Sequence, residues 1–275
     1  MPQMRPAWSA HFTQEELQHI NPIHHLDTLS WNDACGDGSG RGVKVAIVDS
    51  GIDATHPALN GPVNGYVTVE MDGDEAHYHT EVHEDSCGHG TACAGIIRSL
   101  APECEIYSVK VLGRGLVGRG ATFIAGLRWA IENQMDVCNL SLGTTKKDFF
   151  VGLHEVADLA YFRNVLLVTA ANNLPIPSFP SMYASVISVA AHDEQEPSRI
   201  YYNTRPPVEF GALGIDVRVA WLDQKWITAT GNSFAAPHIT GIAAKILGTH
   251  RHATPFQVKT MLRALCANTV PAQAV

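Results

Sequence analysis

The chain has 275 residues, 45% of them hydrophobic and 17% charged, with a formal net charge of -8. That length buries a large core in one domain or at most two, and the composition is that of an ordinary soluble globular protein. An acidic balance with no Lys/Arg stripe excludes a nucleic-acid surface, and no run approaches the roughly 18 apolar residues of a membrane span.

The first residues, Met1-Pro2-Gln3-Met4-Arg5-Pro6, lack the apolar core of a secretory signal, so a cytoplasmic location is expected. Residues 1–37 read as a less regular lead-in, in which Thr13-Gln14-Glu15-Glu16 resembles a helix capping box. The turn-rich segment Gly36–Gly42 then opens into Val43–Val48, an apolar run of buried-strand length. Ile106–Leu112 and Asp136–Leu142 read as further strands. Between them, Thr122–Asn133 places Phe123, Ile124, Leu127 and Ile131 on one helical face. Phe149–Arg163 predicts a second helix, with Leu153, Val156, Leu159 and Ala160 on one side. Two more apolar strands follow, Val165–Ala170 and Val186–Ala191. An apolar helix over Ser233–Leu247 and an amphipathic one over Pro255–Leu265 end the series. Strand and helix alternating at this spacing predict an α/β fold of three layers: a mostly parallel central sheet with helices on both faces. With no internal repeat and no dividing linker, residues 38–275 are expected to form one domain. The cysteines (Cys35, Cys87, Cys93, Cys104, Cys138 and Cys266) show no Cys-x-x-Cys pair and no zinc-like spacing, so free thiols are expected. Cys87 also admits a metal reading with His83 and His89.

Three short stretches carry chemistry. Val45-Ala46-Ile47-Val48-Asp49-Ser50-Gly51 ends a strand in a carboxylate, at the sheet edge where α/β sites form. Gly88-His89-Gly90-Thr91 sets a histidine between glycines. Gly231-Asn232-Ser233-Phe234-Ala235-Ala236-Pro237 opens a helix on a serine, among free backbone N–H groups and the positive end of the helix dipole. Each has a plainer reading alone: a turn aspartate, one loop histidine among fourteen, and a helix-capping serine. In the order Asp, His, Ser they supply an orienting carboxylate, a base and a nucleophile.

With those residues in place, the chain resembles the subtilisin-type serine proteases, the subtilases, from about Gly38 to about Leu265. The Asp motif continues as Ile52-Asp53 with His56-Pro57 beyond it, and the His motif as Ala92-Cys93-Ala94-Gly95. Tyr107–Gly113 and Asn139-Leu140-Ser141-Leu142-Gly143 are also typical family segments. The resemblance implies that Ser233 attacks the scissile carbonyl, His89 moves the proton, and Asp49 orients His89. It implies an oxyanion-hole amide in Ala170-Ala171-Asn172-Asn173: Asn173 if Ala-Ala is aligned directly, Asn172 if the match shifts by one. In the direct alignment Asn172 stands in a glycine position, where asparagine tolerates left-handed backbone. Leu116-Val117-Gly118 and Ser141-Leu142-Gly143 are the implied flanks for an extended substrate, and Leu174 implies an apolar pocket for the residue before the cut.

The departures matter too. Ile96–Leu100 runs almost directly into Ala101-Pro102, so the calcium loop of extracellular members is missing there, and no cofactor or metal is expected. Ala212-Leu213-Gly214 replaces the common Ala-Pro-Gly, and Asn232 the usual threonine. About 40 residues precede the matched region, so the usual folding pro-domain is not expected. The expected activity is hydrolysis of a peptide or protein substrate through an acyl-enzyme, as site-specific processing of a precursor peptide. The alternatives are a binding or scaffold protein with impaired catalysis, and a ligase or macrocyclase that resolves the acyl-enzyme with an amine.

Overall fold

Along strand β1 (Lys44–Asp49), Val45 and Ile47 face one way and Ala46 and Val48 the other, and none is more than 1% exposed. A strand apolar on both faces must lie inside a sheet covered on both sides, and β1 does. The structure, a computed structural model, describes residues 29–269. The helices are α1 (Trp31–Cys35), α2 (His89–Leu100), α3 (Gly120–Glu132), α4 (Phe150–Phe162), α5 (Asn232–Thr249) and α6 (Pro255–Ala264). The remaining strands are β2 (Val63–Asp72), β3 (Glu75–His79), β4 (Glu105–Lys110), β5 (Val137–Leu140), β6 (Leu166–Ala170), β7 (Ile187–His192), β8 (Tyr201–Tyr202), β9 (Phe210–Leu213), β10 (Val217–Ala220) and β11 (Trp226–Ala229).

The main sheet has nine strands in the order β3-β2-β4-β1-β5-β6-β7-β9-β8. Pairing is parallel from β2 through to β9, and the edge strands β3 and β8 run antiparallel to their neighbours. Helices α2, α5 and α6 cover the Val45/Ile47 face, and α3 and α4 the Ala46/Val48 face. This is the expected three-layer α/β architecture. The chain leaves β1 for β2 and β4 on one side, then crosses through α3 to β5 on the other. That reversal opens a crevice at the carboxyl end of β1, where Asp49 stands.

The predicted elements Val43–Val48, Ile106–Leu112, Thr122–Asn133, Phe149–Arg163, Val165–Ala170, Val186–Ala191, Ser233–Leu247 and Pro255–Leu265 all exist, with ends displaced by one to a few residues. The run Asp136–Leu142 is strand only as Val137–Leu140, because Ser141–Gly143 leave the ladder. Strands β2, β3 and β8 to β11 are additional to those predicted. Ala34 and Cys35 of α1 are buried in the core against α5. The Thr13–Glu16 motif lies outside the described residues. All six cysteines are free, and no helix among the described residues is long and apolar enough to cross a membrane.

Candidate active site

Asp49 is the last residue of β1 and is fully buried. His89 is the first residue of α2, also buried, and its Nδ1 lies 2.9 Å from both Asp49 Oδ1 and Oδ2. A carboxylate only accepts, so Nδ1 carries the proton and the neutral ring keeps its lone pair on Nε2. Burial alone pushes the imidazole pKa down; the charge and hydrogen bond of Asp49, with help from Asp85, outweigh it and raise the pKa above the usual 6.5.

The approach of α2 to β1 is fixed by a brace that the sequence reading missed. Asp85 is buried. Its Oδ1 accepts from Ser50 Oγ at 2.7 Å, Cys87 N at 3.0 Å and Gly88 N at 2.9 Å. Its Oδ2 accepts from Thr91 N at 2.9 Å and Thr91 Oγ1 at 2.6 Å. These include free N–H groups of the first turn of α2, which Gly88, in left-handed conformation, cannot cap with a side chain. Gly90 N donates to Ser50 Oγ at 3.1 Å, and a Cβ on Gly90 would collide with Gly51 O. The legible signal was an aspartate three residues before Gly88, a capping residue placed upstream.

Ser233 lies in the first turn of α5, and its neighbour Phe234 sets its ring 5.5 Å from the His89 ring, centroid to centroid. Pro237 has no N–H, so the carbonyl four residues back, that of Ser233, loses its helical donor. Ser141 Oγ donates to it instead at 2.7 Å. Cys93 Sγ sits beneath, 3.3 Å from Ser141 Oγ, 3.7 Å from Ser233 O and 4.0 Å from Asp49 Oδ2. Asn139 Nδ2 donates to Ser141 Oγ at 3.0 Å, completing the support. Farther along α5, His238 Nδ1 meets Phe234 O at 2.9 Å. Burial there holds the imidazole down to about 4, so it stays neutral and structural.

His89 and Ser233 open onto one cavity of about 220 Å³, lined also by Leu116, Ser141, Leu142, Gly143, Ala170, Ala171, Asn172, Asn173 and Ser178. The predicted flanks therefore meet there in part. Val117 and Gly118 lie outside the lining, in or beside a turn closed by Gly113 N donating to Val117 O at 2.9 Å. Leu174 lies outside it as well. Its N–H donates to Asn172 Oδ1 at 2.9 Å, in a tight turn that leaves Leu174 64% exposed. Ser178, missed from sequence, lines the cavity instead, brought in by the pairing of Thr144 with Phe179.

The two asparagines separate clearly. Asn172 Oδ1 is held by the Leu174 turn, and Asn172 is absent from the residues with left-handed φ, so the glycine-like backbone invoked for it is not used. Asn173 Oδ1 accepts from Asn232 N at 2.8 Å, at the start of α5. A Cβ built on Gly231 would lie 3.3 Å from Ser233 Oγ, 3.5 Å from Asn173 Nδ2 and 3.6 Å from Asn173 Oδ1, so the amide and the serine hydroxyl border the same glycine and the same cavity. The metal reading through Cys87 and His83 is not met: His83 bonds Thr68 Oγ1 at 3.0 Å and Ser108 Oγ at 2.7 Å. Asp49, His89 and Cys93 have candidate ligand atoms within 4.8 Å of one another. Two of those three are already bonded to each other, His89 Nδ1 to the Asp49 carboxylate.

Comparison with known proteins agrees with this architecture. The Subtilase family model matches residues 40–273. The minor extracellular protease Epr of Bacillus subtilis (strain 168) is 34% identical over 238 residues, covering 82% of this chain and 34% of that protein. Subtilisin E of the same organism is 32% identical over 241 residues, covering 82% of this chain and 61% of that protein. Subtilisin DY of Bacillus licheniformis is 31% identical over 244 residues, covering 83% and 85%. The chain thus spans about a third of the length of Epr and 61% of that of subtilisin E. A solved structure of the S41 psychrophilic protease superposes with a TM-score of 0.70 at 26% identity, over 82% of this chain and 83% of that one. A cold-adapted subtilisin-like serine proteinase shares the fold at a TM-score of 0.67 and 24% identity, over 84% and 86%. A match of this extent, carried by sequence and fold alike, means that the chain belongs to the subtilase family.

Proposed function

We propose that the protein is a serine endopeptidase that cuts peptide or protein substrates through an acyl-enzyme on Ser233. The observation that carries this reading is the buried Asp49–His89 pair, bonded at 2.9 Å, with His89 lining one cavity together with Ser233. His89 Nε2 takes the Ser233 proton as Oγ adds to the scissile carbonyl, and the imidazolium returns that proton to the leaving amine. Water then enters with His89 again as base, and the acyl ester is hydrolysed. Asp49 fixes the tautomer and stabilises the imidazolium. Asn173 Nδ2 is the side-chain donor to the oxyanion, its carbonyl side being tied to Asn232 N. The named relatives are proteases, which supports the same chemistry.

Site-specific processing of a precursor peptide in the cytoplasm is the biological role we favour. A cavity of about 220 Å³ admits one modest side chain, and its lining carries no charged group besides the histidine. Free thiols throughout accord with a reducing compartment. Cleavage of a peptide library, with Ser233→Ala as control, tests the reading. Cuts after a narrow set of uncharged residues, lost in the variant, are expected. Rapid indiscriminate digestion of casein would replace processing by general degradation, and no Ser233-dependent cleavage would overturn the enzymatic reading.

A further inference from the structure

Asn232 precedes the nucleophile, and its side chain is half-buried and fully engaged. Its Oδ1 accepts from Ala191 N on β7 at 2.8 Å. Its Nδ2 donates to Ala171 O at 3.2 Å and to Asn172 O at 3.0 Å, both in the loop after β6. Its own backbone N–H donates to Asn173 Oδ1 at 2.8 Å. An asparagine in the first turn of a helix usually bonds locally; here every side-chain bond crosses to another segment. One residue therefore joins the start of α5, the end of β7 and the main chain that carries Asn173.

We propose that Asn232 is a positioning residue for catalysis: its carboxamide clamps the 171–173 main chain against β7 and α5, and so fixes Asn173 Nδ2 relative to Ser233 Oγ. The proposal rests on the reading of Ser233 and Asn173 given above. Tying the Asn173 oxygen to Asn232 N fixes one end of the carboxamide and leaves the nitrogen as its free donor end. Asn173 Nδ2 makes no hydrogen bond among the described residues, and it lies around Gly231 together with Ser233 Oγ. A donor at an exposed loop stabilises a developing oxyanion only if the loop is held still. A displacement of about 1 Å can cost roughly 10²-fold in rate. The loop's own restraints are few: Ala171 N donates to Val189 O at 2.8 Å, and Asn172 closes its turn on Leu174. The Asn232 carboxamide supplies the tie from the nucleophile's side. It also joins two positions where this sequence departs from its family, since Asn232 Nδ2 donates directly to the carbonyl of Asn172.

The test is a double-mutant cycle on the full chain with a cleaved peptide. Asn232→Ala removes all three side-chain bonds. Asn232→Asp keeps the acceptor for Ala191 N but sets a carboxylate against two carbonyls. Both should lower kcat by roughly 10- to 100-fold while KM stays near its wild-type value, the pattern of an interaction felt in the transition state. In an Asn173→Ala background, either change should add little, because the donor it positions is gone. An unchanged kcat, a loss confined to KM, or the same fold-loss repeated in that background would overturn the proposal. So would failure of both single variants to melt cooperatively, which would make Asn232 a folding residue. If the wild type itself shows no Ser233-dependent cleavage, the active-site reading fails and this proposal falls with it. An active wild type beside unaffected Asn232 variants refutes this proposal alone.

Discussion

Replacing Asn173 by alanine removes the amide that shares a cavity with Ser233 and leaves the Asp49–His89 pair untouched. Asn173 Oδ1 bonds Asn232 N at 2.8 Å, while Nδ2 has no competing partner among the described residues, so its hydrogens are available to an oxyanion. Loss of a single such donor in a subtilisin costs about 10²–10³ in kcat, or about 2.7–4 kcal/mol of transition-state stabilisation. Part of that loss here would come from freeing Asn232 N, one ordinary hydrogen bond of about 1 kcal/mol. Asn172→Ala is the matched control. It gives up only the exposed turn to Leu174 N, again about 1 kcal/mol of local order, and no transition-state contact. Steady-state cleavage of one peptide by the two variants, with KM measured separately, decides the matter. The expected result is a large fall in kcat for Asn173→Ala at nearly constant KM, with Asn172→Ala close to wild type. The reverse ranking would show that the loop is read one residue out of register and that the geometry around Gly231 does not report the oxyanion site.

Other expectations follow from the same contacts. Because His89 must be neutral to act and its pKa is raised above 6.5, kcat/KM should fall as pH drops through a midpoint above that value. Asp49→Asn should lower both the midpoint and kcat, the latter by roughly 10⁴, and a midpoint that stays in place would remove Asp49 from its role. Gly90→Ala drives a methyl group into Gly51 O and, at 3.3 Å, against Asp49 Cβ. It should part His89 from Asp49, visible as lost activity and a lowered melting temperature, and a fully active variant would contradict the packing. Cys93 is fully buried and its thiol is pushed well above the usual range, first by burial and then by Asp49. Iodoacetamide, which needs a thiolate, should react slowly, whereas a mercurial should inhibit by displacing Asp49 and Ser233 from either side. Wild-type activity under saturating mercurial, or equal inhibition of Cys93→Ala, would refute that placement.

How far the sequence could be read depended on whether a signal was local. Val43–Val48 declares a doubly buried strand because its apolar residues serve both sheet faces, and the helical faces of Thr122–Asn133 and Phe149–Arg163 repeat over several turns. Strand β2 was missed. Pro62 precedes it and its register shifts between Val63 and Gly65, so the alternation of Val67, Val69 and Met71 with polar residues begins only in its second half. Strands β9 to β11 have four residues each, too few for a period to emerge, and Gly211 and Ala212 carry little β preference. In the site, Asp49, His89 and Ser233 could be named because each sits in a motif that sets its own backbone. The supports could not. Ser141 reaches Ser233 O across 92 residues of sequence, and Asn232 reaches Ala171 and Asn172 across about 60. Those contacts exist only once the sheet has placed the carboxyl ends of β5, β6 and β7 side by side. For Leu174 the apolar character suggested a pocket wall, and the turn at Asn172, which holds it exposed outside the cavity lining, could not be read from that character.

The central claim is that Ser233 is a nucleophile activated by His89 on Asp49. Reaction of the folded protein with a fluorophosphonate, followed by peptide mass mapping, tests it most directly. The account predicts one stoichiometric adduct on Ser233, formed rapidly at pH 8, slowed strongly in Asp49→Asn, and absent in Ser233→Ala. An unlabelled Ser233 in a cooperatively folded wild-type protein, or an adduct on another residue, would contradict it.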